Sequence, residues 1–358
     1  MKGVTLNMKA WEKNLRVVEP YVPGEQPQCS DIIKLNTNEN PYAPSPKVEE
    51  MLKEIQEEKL KLYPNPKAEK LVKSLANRYG VKEDQVFVGV GSDDVLGMAF
   101  LTFFNSKKPI LFPDITYSFY KVWAELYKIP YECPALDENF RIQKEDYYKE
   151  NGGVVIANPN APTSIYEPIS FIRDILDHNQ DVIVIVDEAY IDFAGESALS
   201  LLNEYENLVI VQTFSKSRSL AGLRVGYAIA NERLIKALND VKYSYNSYTM
   251  NLTSIECGAV AVEDQEYYDM ITKKVIRTRE EAKKRLAEFG FTSLESGTNF
   301  LFVTHKTIPA KEIFEKLKEK KIFVRYFSSP RIDNYLRITI GTEEQMQKVY
   351  EALAEIIQ

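Results

Sequence analysis

Histidine, at two residues, and cysteine, at three, are scarce in this chain of 358 residues. His178 and His305 have no cysteine cluster near them in sequence, which argues against a structural zinc site and leaves a histidine-based triad without support. Cys29, Cys133 and Cys257 are far apart, odd in number and form no CxxC pair, so they read as reduced thiols in a reducing compartment. Long apolar runs are missing too. Val182 to Val186 is among the longest and is far too short to span a bilayer. The start, MKGVTLNMKAWEKN, lacks the continuous apolar stretch of a secretory signal, so a cytoplasmic location is expected. There is no basic excess: 45 Lys and Arg face 52 Asp and Glu, a net charge of −7 that argues against a nucleic-acid groove. What remains is an ordinary globular composition, 44% hydrophobic and 27% charged. An enzyme built from it needs chemistry from elsewhere, and a cofactor is the obvious source.

The middle of the chain alternates short β-branched runs with longer amphipathic segments. Strands are predicted at Val86 to Gly89, Pro109 to Phe112, Val154 to Ala157, Val182 to Asp187, Leu208 to Thr213 and Val225 to Ala230. Continuous apolar strands separated by helical segments predict a mainly parallel α/β sheet buried on both faces. Ligands bind such sheets outside the carboxyl ends of their strands. Gly91 to Asp94, Asn158 to Asn160, Asp187 to Tyr190 and Thr213 to Lys216 each follow directly on an apolar run. From about Glu263 the texture changes: a charged helix over Lys273 to Gly290, strands at Asn299 to Val303, Ile322 to Phe327 and Tyr335 to Ile340, helices over Ala310 to Lys320 and from Glu343 towards Gln358. The organisation expected is an N-terminal arm (1–35, with Pro-rich EPYVPGEQP), a large domain (36–262) and a small α+β domain (263–358).

The most informative stretch is TFSKSRSLAGLRVGY, Thr213 to Tyr227. A lysine at the end of a buried strand is costly unless its charge is paired or its pKa lowered. A lowered pKa is what a lysine needs to attack a carbonyl and hold it as a Schiff base. Arg224 and the hydroxyls of Thr213, Ser215, Ser217 and Ser219 are what a phosphate would need nearby. Schiff base plus phosphate suggests pyridoxal phosphate. The plain alternative, a lysine in a surface turn, leaves the arginine, hydroxyls and glycines unexplained.

These motifs, in order from PYVPGEQP through NENPY and YPNP to YLRITIGT, resemble the fold-type I pyridoxal phosphate aminotransferases over nearly the whole chain, and among them the histidinol-phosphate aminotransferase group. The resemblance implies a large domain with a seven-stranded-type sheet between helices, and roles for individual residues. Lys216 matches the Schiff-base lysine and proton carrier, Asp187 the carboxylate paired with the pyridine nitrogen, and Tyr190 the partner of the phenolic oxygen. The cofactor phosphate would sit at the helix starting near Ser92 and Asp93, with Thr213, Ser215 and Arg224 completing the cup. Tyr117 matches the aromatic stacked on the ring. Tyr63, in LYPNP, matches a tyrosine that reaches the other subunit's site, which implies a homodimer with shared active sites. Where the family has NPNNPTG this chain has NPNAPTS, so Ala161 replaces the asparagine at the phenolic oxygen; either Tyr190 holds that oxygen alone or Asn158 or Asn160 approaches it.

Substrate choice rests on Arg337 and Arg325 for anions, Tyr21 beside a substrate phosphate, and Asn38, Glu39 and Asn40 at the entrance, where their side chains could contact an imidazole or simply form a turn. Two arginines twelve apart could instead be surface ion pairs. The reaction implied moves an amino group between glutamate and imidazole-acetol phosphate in histidine biosynthesis. A decarboxylase of phosphorylated threonine, an aromatic-amino-acid aminotransferase and a non-catalytic binding protein are the competing readings. Intact Lys216, Asp187 and Arg224 argue against the last.

Overall fold

The computed structural model describes residues 9–27 and 31–357. Cys29, the first eight residues of the arm and Gln358 lie outside the described residues. Seven strands form the main sheet, in the order Val86–Gly89, Gly226–Ala230, Leu208–Thr213, Val184–Asp187, Gly153–Ala157, Ile110–Leu111, Tyr131–Glu132. Neighbours from Leu208–Thr213 outward to Tyr131–Glu132 are parallel. Gly226–Ala230 alone runs against both its neighbours. The reason is the Lys216 connection. It has no crossover helix, and a chain without one returns beside its own strand in the antiparallel sense. Phe214 N–H donates to Val225 O at 3.0 Å as the return begins.

Alternate residues of each strand feed cores on opposite faces, as a pleated sheet requires. Val154, Ile156, Val184 and Val186 join the core under Glu69–Tyr79, Ile169–Asp177 and Leu252–Glu263. Val155, Ala157, Ile185 and Val209 join the core under Ser92–Phe103, Phe119–Tyr127 and Glu232–Tyr245. With both faces covered, an apolar strand is the only kind that fits, which is why these runs are legible in sequence.

The C-terminal part builds a separate antiparallel sheet in the order Arg325–Tyr326, Leu336–Thr339, Phe300–His305, Phe291–Ser293. Its core is closed by Gln265–Glu288, Ala310–Glu319 and Glu343–Ile357. Ala310, Ile313 and Leu317 show the spacing of a helix with one buried stripe. Two expectations change here. The charged helix begins at Gln265, eight residues before the expected Lys273, and stops at Gly290, whose φ of +87° suits glycine. The single strand expected over Ile322 to Phe327 is two: Ile322–Phe323 pairs in parallel with Ile33–Lys34, whereas Arg325–Tyr326 pairs with Leu336–Thr339. Leu35 N–H donates to Phe323 O at 2.7 Å, so the segment's hydrogen bonds are split between two neighbours.

Candidate active site

A cavity of about 310 Å³ lies where the carboxyl ends of the central strands meet the antiparallel sheet and the N-terminal arm. Asp187 ends the Val184–Asp187 strand and is 5% exposed. Its Oδ2 accepts from the Tyr120 hydroxyl at 2.6 Å and its Oδ1 from Ala189 N–H at 3.3 Å. Burial pushes the carboxyl up to about 6, against the pull of those donors and of Lys216. Lys216 lines the same cavity, its Nζ 3.3 Å from Thr37 O and 5.6 Å from the Tyr190 ring centroid. The Tyr190 hydroxyl accepts from Asn38 Nδ2 at 2.8 Å, and its ring stands edge-on to Phe300.

Beside this group, Ser92–Phe103 begins at Gly91 (φ +83°) with no side-chain cap, and the first amides of a helix have no carbonyl a turn earlier to bond. Arg224 crosses that helix start: its Nη2 lies 3.1 Å from Asp93 Oδ2 and its Nη1 3.5 Å from Ser215 Oγ. The Thr213 hydroxyl donates to Ser215 Oγ at 3.0 Å, and the Tyr117 hydroxyl to Asp93 Oδ1 at 2.7 Å. The approach is close enough that a Cβ on Gly91 would stand 2.5 Å from Arg224 Nη2, and one on Gly226 2.3 Å from Gly91 C and Ser92 N.

The arm and the antiparallel sheet close the other side. Tyr21 stacks on Phe119 with centroids 4.3 Å apart, and Pro23, Gly24 and Gln26 line the cavity. Asn36 Nδ2 holds Glu25 O at 2.8 Å, and Lys318 pairs with the Glu25 carboxylate at 2.8 Å. Arg325 and Arg337 are direct cross-strand partners and both line the cavity. Arg337 gives one bond to Asn36 O at 3.0 Å, rests over the Phe300 and Phe327 rings, and keeps a buried Nε with no partner. Burial, then the charge of Arg325, push its pKa down. Like charges placed opposite each other repel, so this pair is set for an anion.

The cavity has an acid buried on its floor against uncharged donors, a half-buried lysine, and a glycine cradle where a helix N-terminus meets an arginine. A protonated ring nitrogen, an aldehyde and a phosphate are the groups that would satisfy these three, and pyridoxal phosphate carries all of them. Comparison with known proteins agrees. Residues 30–353 match the family described as aminotransferase class I and II. The chain belongs to the class I and II aminotransferases.

Among curated aminotransferases, it is 49% identical over 349 residues to a histidinol-phosphate aminotransferase of Clostridium beijerinckii, covering 98% of each chain. A histidinol-phosphate aminotransferase of Clostridium acetobutylicum is also 49% identical, over 98% of this chain and 99% of that one. Of solved structures, the Sinorhizobium meliloti histidinol-phosphate aminotransferase in complex with pyridoxal-5'-phosphate superposes with a TM-score of 0.82 at 23% identity, over 91% and 90% of the two chains. The L-threonine-O-3-phosphate decarboxylase of Porphyromonas gingivalis superposes with 0.80 at 22% identity, over 91% of this chain and 99% of its own. At these identities the superpositions bear on the fold, which is that of the fold-type I aminotransferases. The cofactor of this aminotransferase is pyridoxal phosphate.

The cavity of this aminotransferase brings together Tyr21, Ser92, Asp93, Tyr117, Asp187, Tyr190, Thr213, Ser215, Lys216, Arg224, Arg325 and Arg337 from the sequence reading, with Ala161. Four expected residues stand elsewhere. Asn40 does not line the cavity; its Nδ2 donates to the carbonyls of Lys216 (3.1 Å) and Ser217 (3.2 Å), bracing the lysine loop from behind. Asn158 exchanges two bonds with the Glu167 backbone, and Asn160 ties its loop at Thr163 to Ile115 O and Thr116, so both amides are spent on these bonds and are not free to replace the asparagine lost at Ala161. Tyr63 is 80% exposed, stacks on Tyr248 and is not part of this chain's cavity. Asn38 and Glu39, expected at the entrance, do line the cavity; the sequence reading missed Asn36, Thr37 and Phe119, which also line it, and Tyr120, which supports Asp187. In KLNTNENPY the three asparagines are equivalent by composition. Only the tertiary path, with Asn38 at φ +58°, selects which faces Tyr190.

Proposed function

We propose that this aminotransferase moves an amino group between glutamate and imidazole-acetol phosphate, giving L-histidinol phosphate and 2-oxoglutarate in histidine biosynthesis. The observation that carries the reading is the Arg325–Arg337 cross-strand pair, with an unpaired Arg337 Nε and Tyr21 alongside, facing the lysine across one cavity. It supports two successive anionic substrates at a single site. The relatives 49% identical along 98% of the chain support the choice of substrate.

Pyridoxal phosphate supplies an electron sink for the bond broken at the substrate carbon. Lys216 would hold its aldehyde end, Arg224, Ser92, Thr213 and Ser215 its phosphate, Tyr117 the ring face, Asp187 the ring nitrogen and Tyr190 the phenolic oxygen. Lys216 Nζ, once free, would take the proton from the substrate's reacting carbon and deliver it to the carbon that carried the cofactor's aldehyde, the work of a positioned general base and acid. Tyr120 and Ala189 orient the Asp187 carboxylate for its task. Asn38 fixes the Tyr190 hydroxyl, and Asn40 holds the backbone that carries Lys216. Arg325 and Arg337 hold the substrate anion, and Tyr21 from the arm shields the cavity from water.

The active unit in this reading is a cytoplasmic homodimer with shared sites. Leu60, Leu62, Tyr63, Tyr245 and Tyr248 are exposed apolar residues, and such a group on a monomer's surface marks an interaction site. Among the described residues no helix is long and apolar enough to cross a membrane. The division of the chain at 35/36 and 262/263 belongs to the same proposal. The Leu252–Glu263 helix packs in the core of the large sheet and the Gln265–Glu288 helix mainly in that of the small one.

Half-reaction rates of the holoenzyme with L-histidinol phosphate, L-phenylalanine, L-glutamate and L-threonine phosphate test the reading. Histidinol phosphate and glutamate should be the best of the four. Equal or faster turnover of phenylalanine would overturn the substrate assignment, and carbon dioxide release from threonine phosphate would replace it with decarboxylation.

A further inference from the structure

Besides the carboxylates at the cofactor end of the cavity, Asp93 and Asp187, its lining holds one more acid, Glu39. It stands on the loop that also places Thr37 O against Lys216 Nζ, and half of its side chain is exposed. Oε2 takes both of its bonds, from Lys34 Nζ and from the Thr37 hydroxyl at 2.7 Å, while Oε1 has no partner among the described residues. The pair with Lys34 and the charge of Lys216 hold the carboxyl below its usual range in spite of burial, so it is ionised at neutral pH. A carboxylate is an odd lining for a cavity that Arg325 and Arg337 prepare for anions. It repels any substrate group of its own sign and accepts N–H donors.

We propose that Glu39 is a specificity residue that accepts an N–H from the substrate's basic ring, so that the cavity selects a ligand with an anion at one end and an imidazole at the other. This rests on the reaction proposed above and adds what tells its two substrates apart. Histidinol phosphate offers its phosphate to the arginines and its imidazole N–H to Oε1. Phenylalanine has no donor on its ring, so it leaves Oε1 without a bond when water is displaced, an unfavourable exchange for a charged acceptor. Glutamate brings a second carboxylate, which must be drawn towards the arginines and away from Glu39.

The experiment is pre-steady-state half-reactions of holoenzyme carrying Glu39→Gln, with Lys34→Met as a companion, on L-histidinol phosphate and L-glutamate. Glutamine keeps a neutral acceptor in place of Oε1, so the variant loses the charge assistance of that hydrogen bond, which corresponds to about tenfold. Glu39→Gln should therefore lower the ratio of kcat/KM for histidinol phosphate to that for glutamate by about tenfold. Lys34→Met, which breaks the ion pair but keeps the acid, should leave that ratio within about twofold. An equal fractional loss on both substrates in Glu39→Gln would show a role in holding the loop and overturn the proposal. So would the same change of ratio in Lys34→Met. Failure of the reading beneath it looks different: the unmodified enzyme would turn over no histidinol phosphate at all.

Discussion

Tyr120 donates a 2.6 Å hydrogen bond to Oδ2 of Asp187, and it comes from the helix Phe119–Tyr127, 67 residues before the acid that ends Val184–Asp187. The contact is fully buried, and the phenol has its own pKa pushed well up by burial and by that carboxylate. It orients the acid without neutralising it. A charge is left on the cavity floor that Lys216 compensates only in part, since burial still holds the carboxyl up at about 6.

The pH dependence of cofactor binding follows from that floor. Asp187 has a folded pKa raised from 3.8 to about 6. The empty protein therefore binds this proton more tightly than the unfolded chain does, and loses stability as pH rises from about 4 through 6, by on the order of 3 kcal/mol. A ring cation on Asp187 reverses the penalty, so the rise in melting temperature on adding pyridoxal phosphate should be larger at pH 7.5 than at pH 5. In Asp187→Asn that difference should shrink. Glu188, pushed up to about 7 by burial, has the same sign but is bound by Ser197, Ala198 and Gln212, outside the cavity. The Asp187→Asn comparison subtracts it. Identical pH profiles for the two proteins would refute the assignment.

Removing the amine tests the cofactor anchor directly. Lys216→Ala should lose the absorbance band near the visible edge that the wild type shows once loaded with pyridoxal phosphate, with transamination falling at least about a thousandfold. A wild-type protein that stays colourless with added pyridoxal phosphate would count against the whole site.

Gly226→Ala probes the phosphate cradle without touching a reactive group. Its Cβ would meet backbone atoms of Gly91 and Ser92 at 2.3 Å, and backbone cannot rotate aside. Overpacking of this kind costs about 1–3 kcal/mol. The strain falls on the first turn of Ser92–Phe103, so pyridoxal phosphate affinity should drop along with the melting temperature. Denaturant melts and cofactor titration together check it. Unchanged affinity would separate the cradle from the phosphate.

Complementation tests the shared site. At limiting cofactor Tyr63→Ala should be weakly active, and Lys216→Ala, as above, all but inactive. Mixed and allowed to exchange subunits, they should regain activity, up to about a quarter of wild type, because one site per hybrid dimer is then complete. No recovery in mixtures proven by mass to contain hybrids would place Tyr63 outside the partner's site.

Much of this arrangement was legible along the chain because its causes are local. Strands buried on both faces must be apolar, so Val184–Asp187 and Leu208–Thr213 stand out, and the polar residues just past them mark the strand ends where ligands bind. Lys216, Asp187, Arg224 and the Gly91–Asp93 turn lie within such segments, and their types state their chemistry. Strand direction was not local: Gly226–Ala230 runs backwards because of what its connection lacks. Short strands such as Tyr131–Glu132, two residues on a sheet edge, carry too little pattern to find.

By itself, then, the sequence determined the kinds of group available and the strand ends at which they emerge, since burial and periodicity act over a few residues. Tertiary structure decided which of them meet. Arg325 and Arg337 became a pair through the register of one hairpin. Asn38, and not Asn40, reached Tyr190, while Asn160 was taken up by Ile115 and Thr116 from a distant loop. Tyr120 found Asp187 across 67 residues. Each of these depends on how the chain packs at long range, where a hydrogen bond goes to whichever donor the fold brings within reach, and residue type alone does not rank equals.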